Sequence, residues 1–415
     1  MFLNNQITKL NKIHIPNIYL IYVFCLIYFS NDTLIFGTVD GASINTSIIY
    51  SLIILSGLFL YYSKIFKNET SSTLNYLMLS IGCILFTGIF NINFSGGYFY
   101  QILIFVTVYI VYRFIPLIPF LLSFRKVIYI LSFISIITYF IVLLFPVILS
   151  NVPIVENIIG VTKYNFYLSV VSDDNVFIRN SSIFREPGVY MMYLILALIV
   201  ELYLMNKFNT GIDIKYIFVI LFALLLTFST GGYLVFLCFI IYYLLHNNMN
   251  IMKFVYFFIL GSIIWFLYNI FSDSFEQTQV LNKLQKDSTH YGSTLSRISS
   301  IIIPLKIFSH NILVGSGLES FEKLYSLYSW ETYQIMFTAG GTSTNTILNK
   351  FATYGLLSGI LFLYAFYKLS SLLSINKKSI LLFIIFLMLF SNQDVRYSLI
   401  FNILPFYALD KVNKL

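Results

Sequence analysis

The sequence predicts an all-α polytopic membrane protein with about twelve transmembrane helices and two long outward loops. Its 415 residues are 59% hydrophobic and only 10% charged, whereas a soluble domain carries roughly 25% charged residues. Apolar runs of about 20 residues, the length that crosses a bilayer as a helix, recur along the chain. Lysine and arginine gather in the short loops of one side, as expected for cytoplasmic loops.

The apolar runs give the spans in chain order. They are predicted near residues 15–30, 47–63, 73–93, 98–118, 127–149, 189–205, 214–228, 232–246, 253–271, 342–367, 379–394 and 398–410. Threading this order through a membrane places both termini and the lysine-rich and arginine-rich loops on one side. The positive-inside rule makes that side cytoplasmic, which predicts a multi-pass membrane protein with both termini in the cytoplasm. No small-residue cleavage site follows the first span, so we expect it to remain uncleaved.

Two hydrophilic segments, 150–188 and 272–341, fall on the outward side. Long loops of this kind are usually functional, and we expect both to form a periplasmic cap over a single membrane domain of residues 1–415. Residues 293–303 have the pattern of a capped amphipathic helix lying on the membrane. Residues 310–317 follow as a glycine-containing turn.

Composition argues against several other classes of protein. The net charge of +8 comes from residues spread over short loops, and without a basic stripe it does not predict nucleic-acid binding. The three cysteines lie inside apolar runs and have the spacing of neither a metal site nor a disulfide framework. The outward histidines, His290 and His310, are too far apart to predict a metal site. The sequence therefore predicts no metal and no cofactor.

A polar cluster directly before the sixth span is the strongest functional signal. It runs from Arg179 to Gly188 and contains Arg185 and Glu186, and charge at the edge of a span is costly unless it has a use. Pro187 suits the first position of a helix, which puts Glu186 beside the positive end of the helix dipole. The cluster predicts a charged platform for an anionic headgroup.

Four motifs together give the chain a family resemblance. They are Arg179 with Phe184-Arg185-Glu186-Pro187-Gly188, Thr227-Phe228-Ser229-Thr230-Gly231-Gly232, Arg297 with Gly315-Ser316-Gly317, and Ser343-Thr344-Asn345 with Tyr354-Gly355 and Gly359. The order of these motifs and their predicted sides of the membrane are what the resemblance depends on. Over roughly residues 160–370, the chain resembles the Wzy-type O-antigen polymerase and ligase superfamily of bacterial surface-polysaccharide assembly.

The resemblance implies a GT-C-like membrane fold and a metal-independent glycosyltransferase. Its implied donor and acceptor are oligosaccharides linked through pyrophosphate to undecaprenol. A chain-length regulator and a flippase of the same pathway are candidate partners beside membrane lipid. Fixed arginines would compensate the charge of a pyrophosphate leaving group without a metal, because guanidinium forks bind phosphate in pairs of charge-assisted bonds.

Site residues follow from the motifs. We expect Arg179, Arg297 and Glu186 to be catalytic, while the predicted substrate-binding residues are Arg185, Ser229, Asn345 and His310. Glu186 has two open roles, a general base or a carboxylate that orients an arginine, and two neighbouring arginines favour the second by lowering its basicity. Ser229 could likewise contact substrate or simply form a tight turn with the glycines after it.

Two departures from the family pattern bear on function. Thr230 stands where many members carry an arginine, and Thr344 stands where the ligases carry a histidine proposed as their base. The second departure favours a polymerase over a ligase. A lipid-linked oligosaccharide flippase is the non-enzyme alternative, but it should show repeat symmetry or paired broken helices. Lys350, Asp394 and Arg396 fall at outward ends of late spans, where they could line one cavity or, for the last two, pair with each other.

Overall fold

A computed structural model of the chain describes residues 16–37, 42–63, 71–92, 95–156, 162–173, 178–210, 213–246, 291–339, 343–374 and 378–410. These segments form a helical bundle with one small sheet. The helices are α1 Asn17–Tyr28, α2 Ala42–Ser63, α3 Ser71–Phe90, α4 Gly96–Phe114, α5 Leu117–Leu144, α6 Pro187–Phe208, α7 Ile214–Leu225, α8 Thr230–His246, α9 Tyr291–His310, α10 Leu318–Tyr333, α11 Thr346–Leu373, α12 Ser379–Asn392 and α13 Leu399–Leu409.

The helices confirm a polytopic membrane protein in outline. Five of them, α3, α4, α5, α6 and α11, are long and apolar enough to cross a membrane, and six shorter apolar helices accompany them in the described segments. The predicted span at 253–271 lies outside the described residues. The number of spans therefore stays a prediction.

One predicted boundary is wrong. The spans expected at 98–118 and 127–149 left a cytoplasmic loop around Arg125, but α4 ends at Phe114 and α5 begins at Leu117. Pro116 ends the first helix because proline lacks an N–H and keeps the residue before it extended. Arg125 then lies inside α5, where its guanidinium pairs with carboxylates of Glu201, at 2.5 Å, and Asp213, at 2.7 Å.

α6 is the centre of the bundle. Every residue from Pro187 to Leu204 is buried, and the helix packs against α5, α7, α8 and the sheet. A helix that is apolar on all sides belongs in a protein interior. The charged residues that precede α6 therefore lie over the middle of the bundle.

The first hydrophilic segment contains a sheet that the sequence analysis did not predict. A 3₁₀ turn, Pro146–Asn151, leads into β1 Ile154–Glu156, β2 Thr162–Asn165, β3 Val170–Asp173 and β4 Ile178–Ser182, which pair as an antiparallel meander in that order. Ser172 of β3 lies opposite Arg179 of β4. The last strand thus leads directly into α6.

The second hydrophilic segment has a small core of its own. The predicted helix after residue 293 is present as α9, and α10, which was not predicted, packs on it through Ile303, Phe321 and Tyr325. This pair docks against α11.

Docking of this pair depends on a break in α11 at Gly355, where φ is +78°. The N–H groups of Ser316 and Gly317 donate to the carbonyls of Ala352 and Thr353, at 2.9 and 3.0 Å. A Cβ at Gly355 would lie 2.2 Å from the carbonyl oxygen of Leu313, so only glycine allows this contact.

Candidate active site

The candidate site lies at the N-terminus of α6. Pro187 is its first residue, and the backbone carbonyl of Glu186 accepts hydrogen bonds from Val189 and Tyr190. The Glu186 side chain does not cap the helix. Its half-buried carboxylate has no hydrogen bond or ion pair with any described residue, but its charge acts on the guanidinium of Arg297.

Arg179 joins the first motif to the second. Its guanidinium donates to the carbonyl oxygens of Thr227 and Phe228, at 3.2 and 3.3 Å, and the next residue, Asn180, donates its backbone N–H to Leu226. Phe228 has a φ of +46°, which turns these carbonyls of the α7–α8 connection towards β4. The first and second motifs are about 50 residues apart in sequence, but this hydrogen bond brings them into direct contact.

Ser229 begins α8. Its hydroxyl oxygen accepts the N–H of Gly232 at 3.3 Å, the bond that a serine cap makes with the third helical residue. This geometry gives Ser229 a structural role, and its predicted contact with substrate stays a prediction.

Arg297 reaches the same connection from α9. Its Nη1 lies 3.0 Å from where a Cβ at Gly231 would be, so a side chain at position 231 would displace the guanidinium. Partial burial lowers the pKa of Arg297, the charge of Arg179 lowers it further, and Glu186 opposes both effects. Arg297 makes no hydrogen bond or ion pair within the described part of the chain. Two arginines and one carboxylate, all three predicted as catalytic, therefore lie close together above α6.

Asn392, at the end of α12, completes this group. Its side-chain oxygen lies 2.3 Å from the same hypothetical Cβ at Gly231, and its amide donates to Met388 at 2.9 Å. Asn392 was not among the predicted site residues, although the polar run Asn392-Gln393-Asp394 directly follows an apolar span, much as the polar cluster directly precedes α6.

Arg185 makes its contacts with a different set of residues. It donates to the backbone carbonyl of Asp394, its Nε is buried without a hydrogen-bond partner, and its own backbone N–H binds the carbonyl of Asp32 at 2.9 Å. Burial raises the pKa of the Asp32 carboxyl, an effect that Arg185 partly offsets. Lys163 of β2 donates to the carbonyl of Arg185. In this position Arg185 links β2, α6 and the α12–α13 connection.

Asp394 and Arg396 pair with each other, one of the two arrangements the sequence allowed. The Arg396 guanidinium lies 2.8 Å from the carboxylate, and it also donates to Thr353. Burial alone would raise the pKa of Asp394, but Arg396 lowers it below its ordinary value. Asn349 donates a further bond to Asp394 at 2.8 Å.

The fourth motif lies beside α9. Asn345 is buried and caps α11, its side-chain oxygen accepting the N–H of Leu348 at 3.0 Å, so its predicted contact with substrate stays a prediction. Thr344 donates its backbone N–H to the Ser300 hydroxyl at 2.9 Å. Ser300 is one helical turn from Arg297, so Thr344 lies near the group of charges.

His310 lies apart from that group. It is exposed at the end of α9, where its Nδ1 is 2.7 Å from the carbonyl of Lys306 and its ring packs against Tyr328. Thirteen residues of helix, about 20 Å, separate it from Arg297. His290 is outside the described residues. Within those residues no group of three or more histidine, cysteine, aspartate or glutamate side chains could hold a metal ion.

Comparison with known proteins adds a family match. Residues 216–363 match the model of the O-antigen ligase family. No curated protein matches the chain. The matched segment runs from α7 into α11 and contains Ser229, Arg297 and Asn345, whereas Arg179 and Glu186 precede it.

Proposed function

We propose that this protein is a surface-polysaccharide polymerase, because its residues 216–363 match the O-antigen ligase family and its motifs resemble those of the polymerase and ligase superfamily. In the proposed reaction, the chain takes a glycan from undecaprenyl pyrophosphate and transfers it to the non-reducing end of another lipid-linked repeat unit. A hydroxyl oxygen of the acceptor sugar bonds to the anomeric carbon of the donor. The bond between that carbon and the pyrophosphate oxygen breaks, the pyrophosphate keeps the electron pair, and the hydroxyl proton passes to solvent.

The observation that carries the proposal is the meeting of Arg179 and Arg297 on the α7–α8 connection. Two neighbouring cations are suited to a leaving group on which negative charge develops, because stabilisation of that charge is usually the largest catalytic contribution. Arg179 is oriented by the carbonyls of Thr227 and Phe228. Arg297 has its guanidinium free of bonds to the described residues, so its donors are available to phosphate oxygens.

Glu186 has a position that suits an orienting role. Its carboxylate is close to Arg297 and lies at the start of the central helix. We therefore propose that Glu186 steers the guanidiniums and that acceptor positioning, rather than a strong base, accounts for most of the remaining rate.

The polymerase is favoured over a ligase by position 344. The ligases of the superfamily are thought to use a histidine there as base, and this chain has Thr344, bonded to Ser300 one turn from Arg297. The motif is thus near the arginines but lacks the imidazole. A ligase that transfers finished polymer to a lipid core remains the second candidate.

The proposed compartment is the periplasmic face of the inner membrane. The Lys/Arg excess of the opposite loops supports this side by the positive-inside rule. The two hydrophilic segments, which contain the β-meander and the α9–α10 pair, would cover the arginine group there.

The test uses purified protein in liposomes with a synthetic undecaprenyl-pyrophosphate repeat unit and, in parallel, a lipid-core acceptor. A ladder of added repeats is the expected result. A single transfer to the core acceptor with no ladder would identify a ligase. Movement of the lipid-linked repeat across the bilayer without either product would identify a flippase.

A further inference from the structure

A small polar cavity lies inside the bundle, away from the arginine group. It is lined by residues of α3, α4 and α11, and it has room for about one water-sized ligand. Its polar lining consists of side chains that can all donate a hydrogen bond, and it includes no acidic residue. These side chains are Tyr76, Ser80, Gln101, Lys350, Tyr354 and Ser358.

Lys350 is the charged member of this lining. It is the fifth residue of α11 and is only 4% exposed, and it makes no hydrogen bond or ion pair with any residue in the described segments. Its ammonium lies 5.0 Å from the ring centre of Phe362 and 5.7 Å from that of Phe105. Aromatic faces attract a cation only weakly compared with a counter-charge, so the ammonium is left without compensation.

The neighbouring charges do not neutralise Lys350. Arg396 and Asp394 act on it electrostatically, but they are bonded to each other at 2.8 Å and their charges cancel as a pair. One net positive charge therefore remains in an apolar surrounding, where an unpaired ion is costly.

Gln101 adds a second donor without an acceptor. Its side-chain oxygen accepts the hydroxyl of Tyr354, while its Nε2 is buried and has no hydrogen-bond partner. A buried donor of this kind costs free energy until something accepts from it. The ammonium and the amide thus line one cavity, and both require an electron-rich ligand.

We propose that this cavity binds a single small monovalent anion, of the halide class, between Lys350 and Gln101. The size of the cavity favours a monoatomic ion over phosphate, whose oxygens need more room, and the uncompensated charge favours an anion over water. Lys350 lies about 6 Å along the helix axis from the first residue of α11. An anion there would stabilise the part of α11 that precedes the break at Gly355.

The experiment measures thermal unfolding of the full chain in lipid nanodiscs without any glycan substrate, so its result does not depend on the proposed transferase activity. Sodium chloride is exchanged for sodium gluconate at constant ionic strength. Chloride should raise the Tm by about 2 °C and the rise should saturate with concentration. Lys350→Met should abolish the effect of chloride, whereas Lys368→Met, the same change at another lysine of α11, should preserve it.

Anomalous diffraction from bromide provides a second measurement. It uses the unmodified protein, so it remains possible even if Lys350→Met does not fold. Crystals grown in sodium bromide should show an anomalous peak within hydrogen-bonding distance of the Lys350 ammonium and the Gln101 amide. No anomalous peak there, or equal Tm values in chloride and gluconate, would mean that the cavity holds water only and would overturn the proposal.

Discussion

Replacement of Arg297 by lysine is the sharpest test of the proposed active site. Lysine retains the positive charge but cannot form the paired, planar contacts of a guanidinium. Arg297 makes no hydrogen bond or ion pair among the described residues, so the change removes nothing from the fold there. We therefore expect the free energy of unfolding to change by no more than about 0.5 kcal/mol.

The expected loss of activity is much larger. If Arg297 stabilises charge on the departing pyrophosphate, its removal should cost about 10²-fold or more in the rate of chain extension, equivalent to roughly 2.7–4 kcal/mol at the transition state. Arg179 should behave differently, because it also holds the carbonyls of Thr227 and Phe228. Arg179→Lys should lose a similar factor in activity and, in addition, lower the Tm.

The assay is the initial rate of ladder formation in liposomes, at matched protein levels, with the Tm measured on the same samples. Lys306→Gln is the control, since Lys306 is on the same helix and its exposed ammonium pairs with Glu331. It should extend chains at the wild-type rate. If the chain-extension rate of Arg297→Lys stayed within a factor of about three of the wild-type rate, Arg297 would not contact the leaving group.

The remaining predictions concern acid–base chemistry, topology and stability. Glu186→Gln should retain substantial chain extension in the ladder assay, whereas a loss of about 10²-fold with intact donor binding would make it the base. His310→Ala and His290→Ala should be nearly silent, and the pH–rate profile should show no limb near pH 6 to 7, where a histidine base would titrate. A cysteine at exposed Ser309 in a cysteine-free background should react with an impermeant thiol reagent in cells with a permeabilised outer membrane; labelling only after inner-membrane lysis would reverse the topology. Arg125→Met should lower stability by about 3–5 kcal/mol in thermal unfolding, because it leaves a buried carboxylate unpaired, and an unchanged Tm would contradict this.

Much of the bundle was predictable because long apolar runs carry their own signal. The described spans fall where hydropathy placed them, apart from the boundary at Pro116. That error arose because Arg125 looked like a loop residue, and its partners are 76 and 88 residues further along the chain. Pairing over such distances leaves no local pattern. The same holds for the β-meander, whose strands have only three to five residues each.

The elements that carry the four motifs do lie next to one another in the structure. The motifs could not, however, predict which partner each side chain contacts. Ser229 and Asn345 looked like substrate ligands, and both hydrogen-bond the first turn of a helix. Gly315 and Gly355 belonged to the motifs of the family resemblance, and in the structure they allow two backbones to approach closely. Capping residues and glycines carry local sequence signals, so their structural roles were partly readable.

Four cations of the described segments fall into two groups, and the difference between the groups has a physical basis. Arg125 and Arg396 have their charge matched by carboxylates, so their removal should affect stability first. Arg297 and Lys350 have no such partner in the described chain. Arg297 is partly exposed beside the α7–α8 connection, whereas Lys350 is buried and lines the cavity between α3, α4 and α11. A charge left unpaired by the fold requires a ligand or water to compensate it. Arg297 adjoins an open surface, so it is suited to the pyrophosphate of a large lipid-linked substrate. Lys350 adjoins a space of about one water molecule, so it is suited to a single ion. Their unequal surroundings therefore predict that substrate analogues will protect the protein through Arg297 and halides through Lys350, independently of each other.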